Sequence, residues 1–379
     1  MQNFNHNEAP TEVNKPSYSL LSHIRWVSAW LVVFSHARDL FLVDYNGGGI
    51  IEKAFYFLSG FGHSSVVTFF VLSGFLVGRK LTQLSSQESP DWKGYMLDRF
   101  ARIYAVLIPA AALSLLAVAF CTLASKNNDF MHLSSWGNSL NSPLQSDASP
   151  WRWIGLLPLL NETITRTPVI NGPLWSLAYE WTYYIAGLAV VLLVRRQFSL
   201  GPAIIIVWGF SLIALAALLL PAILEGGIVW TFGLLASIAV SKKFFAGLPT
   251  FILTCFVAII ATLAWRLIDY SDIILGIAIA LPLSHTRIKT MSPVAGLGEK
   301  LSDFSYSLYV LHFPICICIL TILYVRGYQQ RLDFSPAGIL VVIGAMALSI
   351  FASYFFAKLT ERKTGVLKAL LLAKHRGRG

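Results

Sequence analysis

Arg25 and His36 lie eleven residues apart inside the first long apolar stretch of the chain, residues 20–43. On a helix that spacing is almost three turns, so both side chains fall on one face, about 16 Å apart along the axis. A guanidinium and an imidazole are both costly in lipid, and ionisable groups inside membrane helices mark functional sites by default. Imidazole titrates near neutral pH, so His36 can act as a general base that takes the proton of an attacking hydroxyl. Arginine forks match phosphate oxygens. Together the two residues stack a base and a cation along one membrane helix.

Further polar groups interrupt other apolar stretches. The run Phe69-Phe70-Val71-Leu72-Ser73-Gly74-Phe75 places Ser-Gly inside the second span, where close helix packing is one reading and a hydrogen-bond donor from Ser73 another. Arg99 and Arg102 share a helix face at the start of the third span. They read most simply as anchors of that end at a membrane surface. Trp175 to Glu180 puts a carboxylate one to two turns into the fourth span, placed to orient an imidazole or pair with an arginine. Ser305 to Pro314 carries Tyr306 and His312 through the ninth. His312 reads as an interhelical hydrogen-bond partner or as a catalytic group. Cys121, Cys255, Cys316 and Cys318 lie inside spans and read as packing, with no metal site implied.

These residues need membrane helices to hold them. The chain has 379 residues, of which 56% are hydrophobic and 13% charged, with mean hydropathy +0.64. Soluble domains carry about 25% charge, so this composition specifies an all-α polytopic membrane protein. The net charge of +10 is spread over membrane flanks and does not point to nucleic acid. Candidate spans are 20–43, 61–78, 101–124, 173–194, 201–220, 222–240, 248–265, 270–284, 304–325 and 336–357, about ten in all. With both termini in the cytosol, most of the 29 Lys and Arg residues fall on the inside, including Arg79, Lys80, Arg195, Arg196, Lys242 and Lys243. Residues 1–19 form a polar cytosolic tail without the apolar core of a cleavable signal, 20–362 the membrane domain, and 363–379 a basic cytosolic tail. The longest loop, from 125 to about Pro173, lies outside in this topology and carries Trp151 and Trp153.

The segment from Leu21 through Arg25 to His36 resembles the first-helix signature of the acyltransferase type three family of integral-membrane O-acyltransferases. The Phe-Phe-Val-Leu-Ser-Gly-Phe run matches further signatures of that family, as do Arg99-Phe-Ala-Arg102-Ile-Tyr, Trp175-Ser-Leu-x-x-Glu180 and Ser305-Tyr-Ser-Leu-Tyr through His312-x-Pro314. They occur in the family's order, and the likeness extends to Glu361-Arg362. Ser22, His23, Trp26 and Ala105 stand where the family has other residues.

The resemblance implies transfer of an acyl group, often acetyl from acetyl-CoA, to a hydroxyl of a surface polysaccharide, lipid-linked glycan or glycoside. The expected catalytic residues are His36, Arg25 and Glu180. The expected substrate-binding residues are Arg99, Arg102, Ser73, Tyr306, His312 and Trp175. Acyl-CoA enters as a substrate, with no permanently bound cofactor. The expected partners are the lipid bilayer and the glycan acceptor, in a bacterial inner membrane, with homo-oligomers left open. The alternative is a transporter or flippase that uses the same polar core without chemistry.

Overall fold

The structure, a computed structural model, describes residues 19–125, 129–133, 136–140, 142–219, 221–268, 271–285 and 295–376. The tail expected over 1–19 lies, but for Ser19, outside these residues. In chain order the α-helices are α1 (Ser19–Phe41), α2 (Ile50–Ser59), α3 (Gly62–Ser85), α4 (Trp92–Ala124), α5 (Asp129–His132), α6 (Pro150–Leu156), α7 (Trp175–Val194) and α8 (Leu200–Leu219). They continue as α9 (Pro221–Ser241), α10 (Leu248–Ile268), α11 (Asp272–Leu283), α12 (Ala295–Ser302), α13 (Ser305–Val325), α14 (Pro336–Leu359) and α15 (Thr364–Arg376). The described residues are helical apart from their connecting loops, and β-pairing among them is limited to isolated bridges.

Among the described residues seven helical stretches are long and apolar enough to cross a membrane: Ile50–Ser85, Trp92–Ala124, Val169–Val194, Pro221–Ser241, Leu248–Ile268, Ser305–Val325 and Pro336–Leu371. The other three expected spans are helical but differ in kind. Helix α1 carries Arg25, His36, Arg38 and Asp39. Within α8 the apolar piece runs Leu200–Leu215, and α11 has only 12 residues. The expected span 61–78 is longer than its apolar core suggested, because α3 continues to Ser85 and α2 precedes it across a break at Gly60. The third span also starts earlier. Asp91 caps α4 by accepting from the Gly94 N–H at 2.9 Å, so Arg99 and Arg102 lie two to three turns inside the helix rather than at its start.

Helix α3 is central, packing on α1, α7, α9 and α11. Its contact with α9 is close because both helices present glycine at the crossing. A Cβ at Gly74 would lie 1.9 Å from the Trp230 carbonyl oxygen, and one at Gly233 would lie 2.0 Å from that of Val71. Small residues let membrane helices approach this far. Ser73 is thereby left free to face the other way. Helix α13 packs on α1, α4 and α14. The end of α1 is tied to the loop before α14 by Val43 N–H donating to the Leu332 carbonyl at 2.9 Å and by the Arg331–Asp44 ion pair at 2.9 Å. That pair holds the Asp44 carboxyl below the usual carboxylate range. Near Arg25, His23 accepts from the Trp26 indole at 3.2 Å. The close approach passes to Gly298, where a Cβ would meet the His23 ring at 2.6 Å.

Candidate active site

Helices α1, α3, α7 and α13 enclose two cavities, one above the other along their axes. One, of about 110 Å³, is lined by Arg25, Ser73, Arg99, Arg102, Glu180 and Tyr306, together with Tyr184 and Ser305. The other, of about 910 Å³, is lined by His36, Arg38, Asp39, His63, Trp175 and Tyr179, with Asn138, Ser139, Arg152, Glu162 and Arg166 from the loop after α4. Each helix passes from one cavity to the other along its length. Helix α1 gives Arg25 to the first and Ser35 and His36 to the second, and α13 gives Tyr306 to the first and Phe313 to the second. The eleven-residue spacing therefore places the cation and the base in different chambers.

The arginine cavity holds three guanidiniums and one carboxylate. Arg25 donates to Ser305 Oγ at 3.2 Å, and Ser305 Oγ donates to the Ser302 carbonyl at 2.8 Å. The Arg99 guanidinium lies 5.8 Å from the Tyr95 ring centre and 5.7 Å from that of Tyr184, with its Nε buried and without a hydrogen-bond partner. Arg25, Arg99 and Arg102 form no ion pair among the described residues. Glu180, expected to orient an imidazole or pair with an arginine, does neither. Its Oε1 accepts from Ser73 Oγ and from the Tyr184 hydroxyl. The Trp230 indole donates to Ser73 Oγ at 3.3 Å. Three guanidiniums face the single Glu180 carboxylate in this cavity, and buried cations in excess are expensive unless an anion meets them.

In the histidine cavity, His36 Nδ1 lies 2.9 Å from His312 Nε2, and the two rings are within 8° of parallel. His312 is fully buried behind His36 and lines neither cavity. Its Nδ1 is 3.1 Å from the Leu308 carbonyl oxygen, which can only accept. The Leu308 carbonyl thus assigns the tautomers by hydrogen-bond logic. His312 Nδ1–H donates to Leu308, His312 Nε2 accepts from His36 Nδ1–H, and His36 Nε2 keeps its lone pair. The motif analysis named both histidines but could not pair them, since 276 residues separate them.

The loop after α4 forms the rim of this cavity. Asp39 accepts from the Ser139 N–H at 2.7 Å and from Asn138 Nδ2 at 3.4 Å. Gly137 turns there at φ +63°, and a Cβ would meet the Asp39 carbonyl oxygen at 2.6 Å. The Trp136 indole donates to the Leu40 carbonyl at 2.7 Å. Asp147 accepts from the Val169 and Ile170 N–H groups, each at 2.7 Å, yet burial pushes its carboxyl up to about 6. Arg38, Asp39, His63, Arg152, Tyr309 and Val66 escaped sequence reasoning as site residues. Only Tyr309 had a signal, its place in the Ser305–Pro314 segment.

A second carboxylate sits just beyond the arginine cavity. Glu361 accepts from the Ser307 N–H at 3.0 Å and from Ser307 Oγ at 2.8 Å, which fixes the start of α13 beside Arg25. Lys368 of α15 pairs with Asp98, the residue before Arg99, at 2.5 Å.

The sequence matches a family profile described as an acyltransferase domain, type 3, over residues 19–358. No curated protein and no solved structure matches the chain. The profile begins at the first residue of α1 and ends in the last turn of α14, so it takes in both cavities and every helix that lines them. The chain belongs to the acyltransferase type 3 family.

Proposed function

We propose that this membrane acyltransferase moves an acyl group, acetyl in the first instance, from acyl-CoA to a hydroxyl of a carbohydrate acceptor, with His36 as general base. The observation that carries the reading is the division of labour between the cavities. One holds three unpaired arginines, the other an imidazole with its Nε2 lone pair uncommitted beneath a polar rim. The arginines hold the phosphates of CoA. The pantetheine arm passes between the helices toward His36. The acceptor oxygen attacks the thioester carbonyl carbon as His36 Nε2 takes its proton. The C–S bond breaks, and the proton passes to the CoA sulfur. Trp175 and Tyr179 give the acceptor aromatic faces, and Asn138, Ser139 and Arg152 give it polar contacts.

In this reading the N-terminus, α15 and the arginine cavity face the cytosol and the rim faces outside, as the distribution of Lys and Arg supports. A bacterial inner membrane fits a cytosolic thioester and an external glycan. The test is purified protein with radiolabelled acetyl-CoA and glycan acceptors. The expected result is label transferred to the glycan, lowered at least about 100-fold by His36→Ala at equal protein level. Unchanged CoA with relocated substrate would mean transport without chemistry.

One contact favours a second route. Ser73 Oγ donates to Glu180, so a carboxylate stands ready to activate it as a nucleophile. In that route Ser73 takes the acyl group, CoA leaves as thiol, and the acceptor attacks the acyl-serine. Intact mass after mixing with acetyl-CoA alone separates the two routes. The direct route leaves the protein mass unchanged, whereas the serine route adds one acetyl group that acceptor removes at the turnover rate.

A further inference from the structure

The two cavities adjoin where two side chains line both: Val66 of α3 and Tyr309 of α13. Tyr309 is held firmly. Its hydroxyl donates to the Pro173 carbonyl at 2.6 Å and lies 2.6 Å from Ser176 Oγ. Its ring stands edge-on to Phe69 with centroids 6.2 Å apart, and 6.1 Å from the His312 ring. Turning the ring aside would break two hydrogen bonds in a buried setting, which is expensive. Val66 faces it from a helix locked to α9 by the Gly74 and Gly233 contacts. A wall packed this closely does not yield by a methyl group without cost.

We propose that this pinch selects acyl donors by the cross-section of the acyl group and not by its length. The inference rests on the acyl-CoA reading above. In that reading the acyl end of the donor leads the pantetheine arm out of the arginine cavity. It must pass Val66 and Tyr309 before its carbonyl carbon reaches His36. A straight chain has the same width whatever its length, so acetyl and butyryl groups pass alike. A quaternary carbon next to the carbonyl is wider than the unbranched cysteamine and β-alanine links that follow it and is stopped, while the arm's own gem-dimethyl carbon stays on the arginine side. Beyond the pinch the histidine cavity, at about 910 Å³, gives a straight chain room to lie. Small changes in an apolar constriction discriminate by about 10- to 200-fold.

The experiment is kcat/KM with acetyl-CoA, butyryl-CoA and pivaloyl-CoA on one acceptor, for the wild type, Val66→Ala, Val66→Ile and Tyr309→Phe. In the wild type, acetyl and butyryl should fall within about 10-fold of each other and pivaloyl well below both. Val66→Ala should raise the pivaloyl-to-acetyl ratio at least about 10-fold, and Val66→Ile should lower it. Tyr309→Phe frees the ring from Pro173 and Ser176 and should raise the ratio too, which keeps the test decisive if Val66→Ala folds poorly. A wild type that takes pivaloyl as readily as acetyl overturns the proposal. So does a ratio unmoved by all three substitutions while acetyl transfer persists. Absence of acetyl transfer in the wild type would instead overturn the acyl-CoA reading, and this proposal with it.

Discussion

At the scale of single residues, the Leu308 carbonyl governs the site. It fixes the His312 tautomer, which fixes that of His36, which leaves Nε2 open. In the proposed mechanism His312 is therefore a positioning residue. His312→Phe should lower kcat by at least about 10-fold, less than the loss at His36→Ala, and leave KM for acyl-CoA near its wild-type value. Steady-state kinetics with varied acyl-CoA checks this, and a change confined to KM would argue for a binding role. In the proposed reaction Arg25 belongs to the donor half. Arg25→Ala should weaken CoA binding more than acceptor binding, and Arg25→Lys should restore it only in part, because an ammonium lacks the bidentate fork. Titration of CoA into the purified variants measures both. Arg25 and His36 were legible in the sequence because charges inside an apolar stretch stand out against it. The roles of His312 and Glu180 were not, because each depends on a partner brought in from a distant helix. Glu180 meets a serine and a tyrosine where an arginine or imidazole was expected.

At the scale of elements, continuous apolar runs such as α10 and α13 were legible in full, since length and hydropathy define them. The start of α4 and the end of α3 were not, because capping by Asp91 and packing against α9 carry those helices past their apolar cores. The α3–α9 crossing can be tested directly. Gly233→Leu drives a side chain into the Val71 carbonyl region and should destabilise the protein by about 3 kcal/mol or more, with Gly233→Ala milder. Thermal melting in detergent reports the order. The rim loop offers a pH signature. Burial raises the folded Asp147 carboxyl to about 6, above its unfolded value near 4. The folded state then holds a proton that the unfolded state has lost between those values. Stability is greatest below about 4 and falls as pH rises through about 6, by up to about 3 kcal/mol. Asp147→Asn should flatten that part of the melting-temperature profile.

At the scale of the whole molecule, the proposed orientation rests on the distribution of charge, and labelling tests it. In a protein freed of its four native cysteines, Ser139→Cys on the rim should react with an impermeant reagent from outside. Ser86→Cys, on the exposed turn between α3 and α4, should react only after permeabilisation. The reverse pattern would invert the topology. The existence of a helical bundle was readable from composition, but its division into two chambers was not, because it depends on how four helices cross. That division has a consequence for the membrane itself. If Val66 and Tyr309 parted, the chambers would join into one polar path across the bilayer. Every elementary charge slipping through would dissipate about 2.3 kcal/mol per 100 mV of membrane potential. The thinnest part of the protein is thus also its electrical insulation. In the proposed reaction the pantetheine arm fills the gap between these two side chains, so the path stays plugged while the arm is threaded.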